Sequence, residues 1–180
     1  MQLTSRVQDL AATIKLAIFD IDGVLTDGGL ILGPNNQEFK KFHVRDGLGL
    51  VMLRESGIVL AIITGRESSV VTERMTQLGI EFVFQGQSNK LQAFESLLDK
   101  LKIEPAAVCY VGDDLPDLPV MMRVGLPIVV ADAHSKLLEH AVWQTTANGG
   151  AGAVREVCEL ILVAQGKFDA ALTRLESSGR

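Results

Sequence analysis

The stretch Leu16-Ala17-Ile18-Phe19-Asp20-Ile21-Asp22-Gly23-Val24-Leu25-Thr26-Asp27 carries an apolar run straight into two carboxylates set two residues apart, with a glycine directly behind them. The uninterrupted run at 16–19 reads as a strand covered on both faces, as the strands of parallel sheets are. Side chains at i and i+2 of a strand share a face, so Asp20 and Asp22 leave the sheet side by side. Neighbouring carboxylates repel, which raises one pKa or draws in a cation. Taken alone, such a pair also reads as a solvated turn or a helix cap.

A second stretch adds to the first. The apolar run that starts at Val108 ends in Val111-Gly112-Asp113-Asp114-Leu115-Pro116-Asp117, three more carboxylates at the end of another buried strand. Five acids at two strand ends exceed what capping requires. Brought together, they form a hard-oxygen site of the kind Mg²⁺ prefers, with room for waters and a phosphate oxygen.

Outward from these two stretches, apolar runs alternate with helical patterns. Strands are predicted at 16–19, 59–63, 81–84, 108–111 and 128–130, with a late one at 142–145. Helices are predicted at 48–55, 68–78, 89–101, 117–123 and 135–140, three of them stopped by Gly57, Gly79 and Gly125. Repeated βα units with short loops specify an α/β fold: a three-layer, Rossmann-like, doubly wound parallel sheet. Such sheets bind ligands beyond the carboxyl ends of their strands, where strand order reverses. With the fourth strand beside the first, an order of 5-4-1-2-3 that the sequence alone leaves open, Asp20, Asp22 and Asp113 meet at that point.

Two further strand ends fit the same site. Thr64-Gly65-Arg66 offers a hydroxyl and backbone N–H groups at a strand end leading to a helix, a phosphate cradle or, alternatively, an N-cap before an exposed arginine. Lys90 opens a predicted helix, where the helix dipole disfavours a cation by about 0.3–1 kcal/mol. An anion held nearby would offset that cost; an exposed lysine tolerating its position is the plain alternative.

The 180 residues correspond to one domain, 1–180, and 47 % hydrophobic with 22 % charged content is ordinary for a globular chain. A net charge of −5 without a Lys/Arg cluster argues against a nucleic-acid partner. No apolar run reaches membrane-spanning length and the N-terminus lacks the order of a signal peptide, so no membrane association and a cytoplasmic location are expected. Cys109 and Cys158 stand far apart without a C-x-x-C pattern and read as buried free thiols. His43, His134 and His140 lack ligand spacing, and Trp143 reads as a packing residue.

Asp20-x-Asp22 with Gly23 to Asp27, Thr64-Gly65-Arg66, Lys90 and Gly112-Asp113-Asp114-x-x-Asp117 together resemble the haloacid dehalogenase superfamily of phosphotransferases. Phe42-His43-Val44-Arg45-Asp46-Gly47, the segment 85–90, Val130-Ala131-Asp132-Ala133-His134 and Gly152-Ala153-Val154-Arg155-Glu156 extend the resemblance to its 3-deoxy-D-manno-octulosonate (KDO) 8-phosphate phosphatases, over 16–167. The resemblance implies that Asp20 is the nucleophile and forms an aspartyl phosphate, and that Asp22 is general acid and base. It implies that Asp20, Asp113 and the main-chain carbonyl of Asp22 hold Mg²⁺, and that Thr64, Gly65 and Lys90 bind phosphate. Asp114 and Asp117 stand behind these ligands, Asp117 as a partner of Lys90 or of a metal-bound water. Arg66, Arg45 and Asp46 are candidates for the sugar's carboxylate and hydroxyls.

Spacing leaves no room for a cap domain. The insertion at 30–44 reads as a hairpin around Gly33-Pro34-Asn35-Asn36, and 66–90 holds one helix and one strand. The family resemblance implies a homotetramer in which such hairpins assemble and subunits roof one another's sites, in the service of lipopolysaccharide synthesis. The tail at 149–180 departs from the family pattern: Ala151 stands where a basic or polar residue is usual. Glycines 149, 150 and 152 predict a flexible loop. A helix at 153–165 packs an apolar stripe on the core, and Arg155 pairs with Glu156 or Glu159. The same pattern also suits a phosphatase of a related nonulosonate 9-phosphate, or a silent oligomeric binding protein of the same fold.

Overall fold

The computed structural model describes residues 4–178, so 1–3 and 179–180 of the expected domain span lie outside the described residues. The strands in chain order are β1 (Leu16–Phe19), β2 (Ile31–Leu32), β3 (Glu38–Phe39), β4 (Val59–Ile63), β5 (Phe82–Phe84), β6 (Val108–Gly112), β7 (Leu126–Val129) and β8 (Trp143–Gln144). Six of them form one sheet in the order β5-β4-β1-β6-β7-β8, every pair parallel. The five predicted main strands therefore take the anticipated order, and the late strand adds to the edge beside β7.

Burial explains why β1 reads as apolar throughout. Ala17 and Phe19 face one core with Val71, Met75, Val157 and Ile161, whereas Leu16 and Ile18 face a second core with Phe94, Leu97 and Val120. All four residues are fully buried, which gives the three-layer arrangement with helices on both faces. Cys109 and Cys158 lie free in the first core, and Trp143 is 8 % exposed in β8.

The helices are α1 (Ser5–Ala12), α2 (Val44–Glu55), α3 (Ser69–Leu78), α4 (Lys90–Leu101), α5 (Leu118–Met121), α6 (Ala153–Ala164) and α7 (Phe168–Ser178). Helix α1 escaped the sequence reading; Thr4 caps it by accepting from the Val7 N–H at 3.4 Å. Helix α2 begins at Val44 rather than 48, because Gly47 and Gly49 do not break it. A Cβ on Gly49 would lie 3.2 Å from the Arg155 Cα, so the glycine lets α2 and α6 approach closely. Expected helices at 117–123 and 135–140 are shorter or tighter: 3₁₀ turns at Leu115–Asp117 and Ser135–Glu139, with α5 after the first. The insertion is an antiparallel hairpin of β2 and β3, and no cap domain is evident among the described residues.

Candidate active site

At the end of β1 the Asp20 N–H donates to the Val111 carbonyl at 3.1 Å, extending the ladder between β1 and β6 by one step. That places the two acidic strand ends next to each other. Gly23 makes the approach possible: its φ is +96°, and a Cβ there would sit 2.0 Å from Asp113 Oδ2. Carboxylate oxygens of Asp20, Asp113 and Asp117 lie within 4.8 Å of one another.

Lys90 holds the buried centre of this group. Its Nζ is 2.9 Å from Asp20 Oδ2 and 2.6 Å from Asp117 Oδ1, and the residue is 5 % exposed. Burial alone would lower the ammonium, but the Asp20 and Asp117 charges outweigh it and hold Lys90 above its ordinary value. Two carboxylates thus offset the helix-start position that sequence reasoning found unfavourable for a cation.

Asp117 is fully engaged. Oδ1 accepts from Lys90 and from the Tyr110 hydroxyl at 2.7 Å, and Oδ2 accepts from the Asp113 and Asp114 N–H groups at 2.9 and 3.2 Å. Asp114 caps the turn that follows, its Oδ1 accepting from the Leu115 N–H at 2.8 Å. By contrast, Asp20 Oδ1 is buried without a hydrogen-bond partner. Burial and the Asp117 charge push Asp20 up to about 6, with Lys90 opposing; burial, Asp117 and Asp20 push Asp113 up to about 8.

A cleft of about 280 Å³ is lined by Asp20, Asp22, Thr64, Gly65, Arg66, Lys90, Asp113, Asp114 and Asp117. Thr64 is buried at the end of β4 and is not a helix cap; Ser68 holds that position for α3. A larger hollow of about 650 Å³ between Phe94, Leu98 and Arg123 contains none of these residues.

Comparison with known proteins shows the family. A profile of the haloacid dehalogenase-like hydrolases matches residues 82–157. The KDO 8-phosphate phosphatase of Salmonella typhi is 53 % identical over 94 % of this chain and 90 % of its own length. The chain belongs to the haloacid dehalogenase-like hydrolases. Among solved members of that family, the KDO 8-phosphate phosphatase of Moraxella catarrhalis, in complex with magnesium, phosphate and KDO, superimposes with a TM-score of 0.93. It is 46 % identical, with 96 % of this chain and 99 % of that one covered. The cobalt-bound phosphatase of Haemophilus influenzae gives 0.85 at 39 % identity, covering 88 % and 92 %.

A divalent cation fits the haloacid dehalogenase-like site found here. Asp20 Oδ1 is a buried orphan oxygen, and the adjacent donors are hard carboxylates suited to Mg²⁺. Asp117 belongs to the acidic group but has both oxygens taken by hydrogen bonds, so it orders the site from behind. Asp22 points its carboxylate at the hairpin, where Lys40 pairs with Oδ1 and Arg66 Nε lies 3.9 Å from Oδ2.

Two sequence candidates fall elsewhere. Asp46 is 1 % exposed in α2, and its carboxylate accepts from the Arg155 N–H at 2.8 Å and the Gly152 N–H at 3.2 Å. It anchors the start of α6 and does not line the cleft, so the structure does not bring it together with the other site residues. Arg45 is exposed on α2 and is likewise absent from the lining. Arg155 pairs with Glu159 at 2.5 Å.

The expectation of a flexible glycine loop is also corrected. Gly149 and Gly150 are buried, and the Gly150 N–H donates to the Val24 carbonyl at 2.9 Å. A Cβ on Gly150 would lie 2.4 Å from the Thr26 carbonyl carbon. The loop is a packed backing for the segment that follows Asp20 and Asp22. Lys40, Glu38 and Tyr110 escaped the reading. Glu38-x-Lys40 repeats the same-face spacing of Asp20-x-Asp22, and Tyr110 is the one tyrosine of the chain, set in an otherwise apolar strand.

Proposed function

We propose that this chain is a Mg²⁺-dependent phosphomonoesterase that hydrolyses KDO 8-phosphate to KDO and phosphate. What carries the reading is the likeness, over 96 % of the chain, to a phosphatase whose crystals hold magnesium, phosphate and KDO together. Asp20 and Asp113, with the main-chain carbonyl of Asp22, would hold the cation. When bound, it neutralises charge between the anionic nucleophile and the phosphate.

Asp20 attacks phosphorus with a carboxylate oxygen, the bond from phosphorus to the sugar oxygen breaks, and an aspartyl phosphate forms. Asp22 gives its proton to the departing sugar oxygen, then takes one from the water that attacks the phosphorus of the intermediate. Cleavage of that acyl phosphate returns the Asp20 carboxylate and releases phosphate. Thr64, the Gly65 backbone and Lys90 bind the non-bridging oxygens. Asp117 positions Lys90 and the backbone at Asp113, and Asp114 caps the turn that carries them.

The chain acts as one domain whose hairpin serves assembly. Ile31, Leu32 and Phe39 are 54 %, 72 % and 53 % exposed, an apolar surface on a two-stranded ribbon that supports a homotetramer in which one subunit roofs the next. On this reading the reaction is a cytoplasmic step of lipopolysaccharide synthesis; separately, no described helix is long and apolar enough to cross a membrane.

Phosphate release from KDO 8-phosphate, a nonulosonate 9-phosphate and hexose phosphates, with Mg²⁺ and with chelator, tests the reading. Preference for the octulosonate, lost on chelation, is expected. Preference for the nonulosonate would reassign the substrate, and inactivity with every metal would leave a silent binding protein.

A further inference from the structure

Tyr110 is the largest of the fully buried side chains and the one tyrosine of the chain. On β6 it stands level with Ile18 of β1 and Pro127 of β7, in the core that Phe94 and Leu97 of α4 share. A phenylalanine would fill that place without burying a hydroxyl, whose desolvation costs free energy unless a partner takes its proton. The partner is Asp117: the hydroxyl donates to Oδ1 at 2.7 Å, the same oxygen that Lys90 Nζ meets at 2.6 Å. Burial, with the Asp117 charge beside it, holds the phenol well above its ordinary value, so the hydroxyl stays a donor.

Lys90 has three N–H bonds to place. Asp117 Oδ1 and Asp20 Oδ2 take two, and the third is left for the cleft that the lysine lines. An acceptor that holds the ammonium too hard competes with any anion that enters. Oδ1 is the nearer of the two acceptors, and its charge is shared because the Tyr110 hydroxyl also draws on it. Oδ2 is already held by the Asp113 and Asp114 N–H groups at 2.9 and 3.2 Å. Resting on the reading that Lys90 binds the phosphoryl oxygens, we infer that Tyr110 is a positioning residue for phosphate binding. Acting through Asp117, it fixes where Lys90 stands and leaves the ammonium free to turn one N–H to the phosphate.

Removing the hydroxyl alone acts in one direction. Oδ1 then keeps Lys90 as its single donor, and the ammonium is drawn toward Asp117 and away from the anion. The cation side is spared, because Oδ2 retains both backbone partners and the turn still presents the Asp113 carboxylate. Phosphate binding is thereby separated from cation binding. Because Lys90 meets oxygens that are charged in the ground state and in the transition state alike, the loss falls on KM more than on kcat.

The test is Tyr110→Phe, with inorganic phosphate as the probe ligand and p-nitrophenyl phosphate as substrate, so the identity of the sugar does not enter. The competitive inhibition constant of phosphate and KM should both rise about three- to tenfold, the worth of roughly one hydrogen bond, with kcat within about twofold of wild type. Mg²⁺ affinity, measured by calorimetry without phosphate, should be unchanged. A Mg²⁺ affinity that weakens in step with phosphate would mean that the hydroxyl merely braces the turn, and an unchanged phosphate constant would mean that Lys90 does not need it. Either result overturns the inference. A second measurement needs no variant. With one tyrosine in the chain, protein made with tyrosine carrying carbon-13 at Cζ gives a single signal, which saturating phosphate with Mg²⁺ should shift as Lys90 turns. A signal that stays in place overturns the link even if Tyr110→Phe does not fold. A wild type that neither binds phosphate nor hydrolyses p-nitrophenyl phosphate would instead contradict the phosphatase reading, and the inference with it.

Discussion

Lys90 Nζ bridges Asp20 Oδ2 at 2.9 Å and Asp117 Oδ1 at 2.6 Å, joining the end of β1 to the turn after β6 through the first residue of α4. One buried cation thus orders two strand ends that carry five acids between them. It also keeps one face of Asp20 occupied while Oδ1 remains without a hydrogen-bond partner.

Replacing that cation should be costly. Lys90→Met leaves Asp20 and Asp117 buried without their counter-charge, a change that costs about 3–5 kcal/mol when one partner of a buried pair is removed. The loss should be greatest near pH 8 and shrink as pH falls toward about 6, because Asp20, freed of the Lys90 charge that lowers it, takes up its proton earlier in the variant than in the wild type. Denaturant unfolding at both pH values checks this, and equal stability of variant and wild type would refute the bridging role.

Asp46 should matter for stability and little for substrate. It satisfies two backbone N–H groups at the start of α6, so Asp46→Ala should cost about 1–2 kcal/mol, the range of a lost cap with its dipole interaction. The KM for the octulosonate should stay at the wild-type value. A raised KM with unaltered unfolding would return Asp46 to the substrate.

The backing loop makes a separate prediction. Gly150 has φ +62°, and a Cβ there collides with Thr26 and Asp27 backbone atoms, so Gly150→Ala should destabilise by about 2–4 kcal/mol and slow turnover by displacing the loop behind Asp22. Wild-type melting and turnover together would show that the loop does not back the site.

Cation binding should depend on pH with a definite sign. Asp113 and Asp20 are raised to about 8 and about 6, so without a cation their stabilising effect is complete below about pH 4 and is lost as pH rises through those values. A divalent cation must displace these protons, so its apparent affinity increases toward pH 8. The rise in melting temperature on adding Mg²⁺ should accordingly be larger near pH 8 than near about pH 5. A larger shift at the acidic end would place the cation elsewhere.

Much of this was legible in the sequence because strand period and chemistry coincide there. The runs into Asp20 and Asp113 mark the strands and the acidic site, while the strand order, which the sequence leaves open, comes from the sheet itself; Lys90 announces itself as a cation at a helix start. What stayed hidden depends on contacts between distant segments. Gly47 and Gly49 resemble helix breakers until α3 is seen packed against the first and α6 against the second, and Gly149 and Gly150 resemble a flexible linker until the 23–27 loop fills the space around them. Asp46 has the composition of a substrate contact, and only its 1 % exposure under α6 gives it another role. Lys40 lies in a hairpin whose own pattern carries no sign of where it folds back.

The central claim is that the phosphoryl group passes through Asp20. Asp22→Asn lacks the base for the second step, while p-nitrophenyl phosphate has a leaving group that needs little protonation, so together they should accumulate the intermediate. Acid quench and mass spectrometry of the peptide spanning Asp20 should then find a phosphoryl group on that aspartate, with a burst of p-nitrophenol equal to the enzyme present and neither signal in Asp20→Asn. Steady p-nitrophenol release without a burst or a modified peptide, or full activity in Asp20→Asn, would contradict the account.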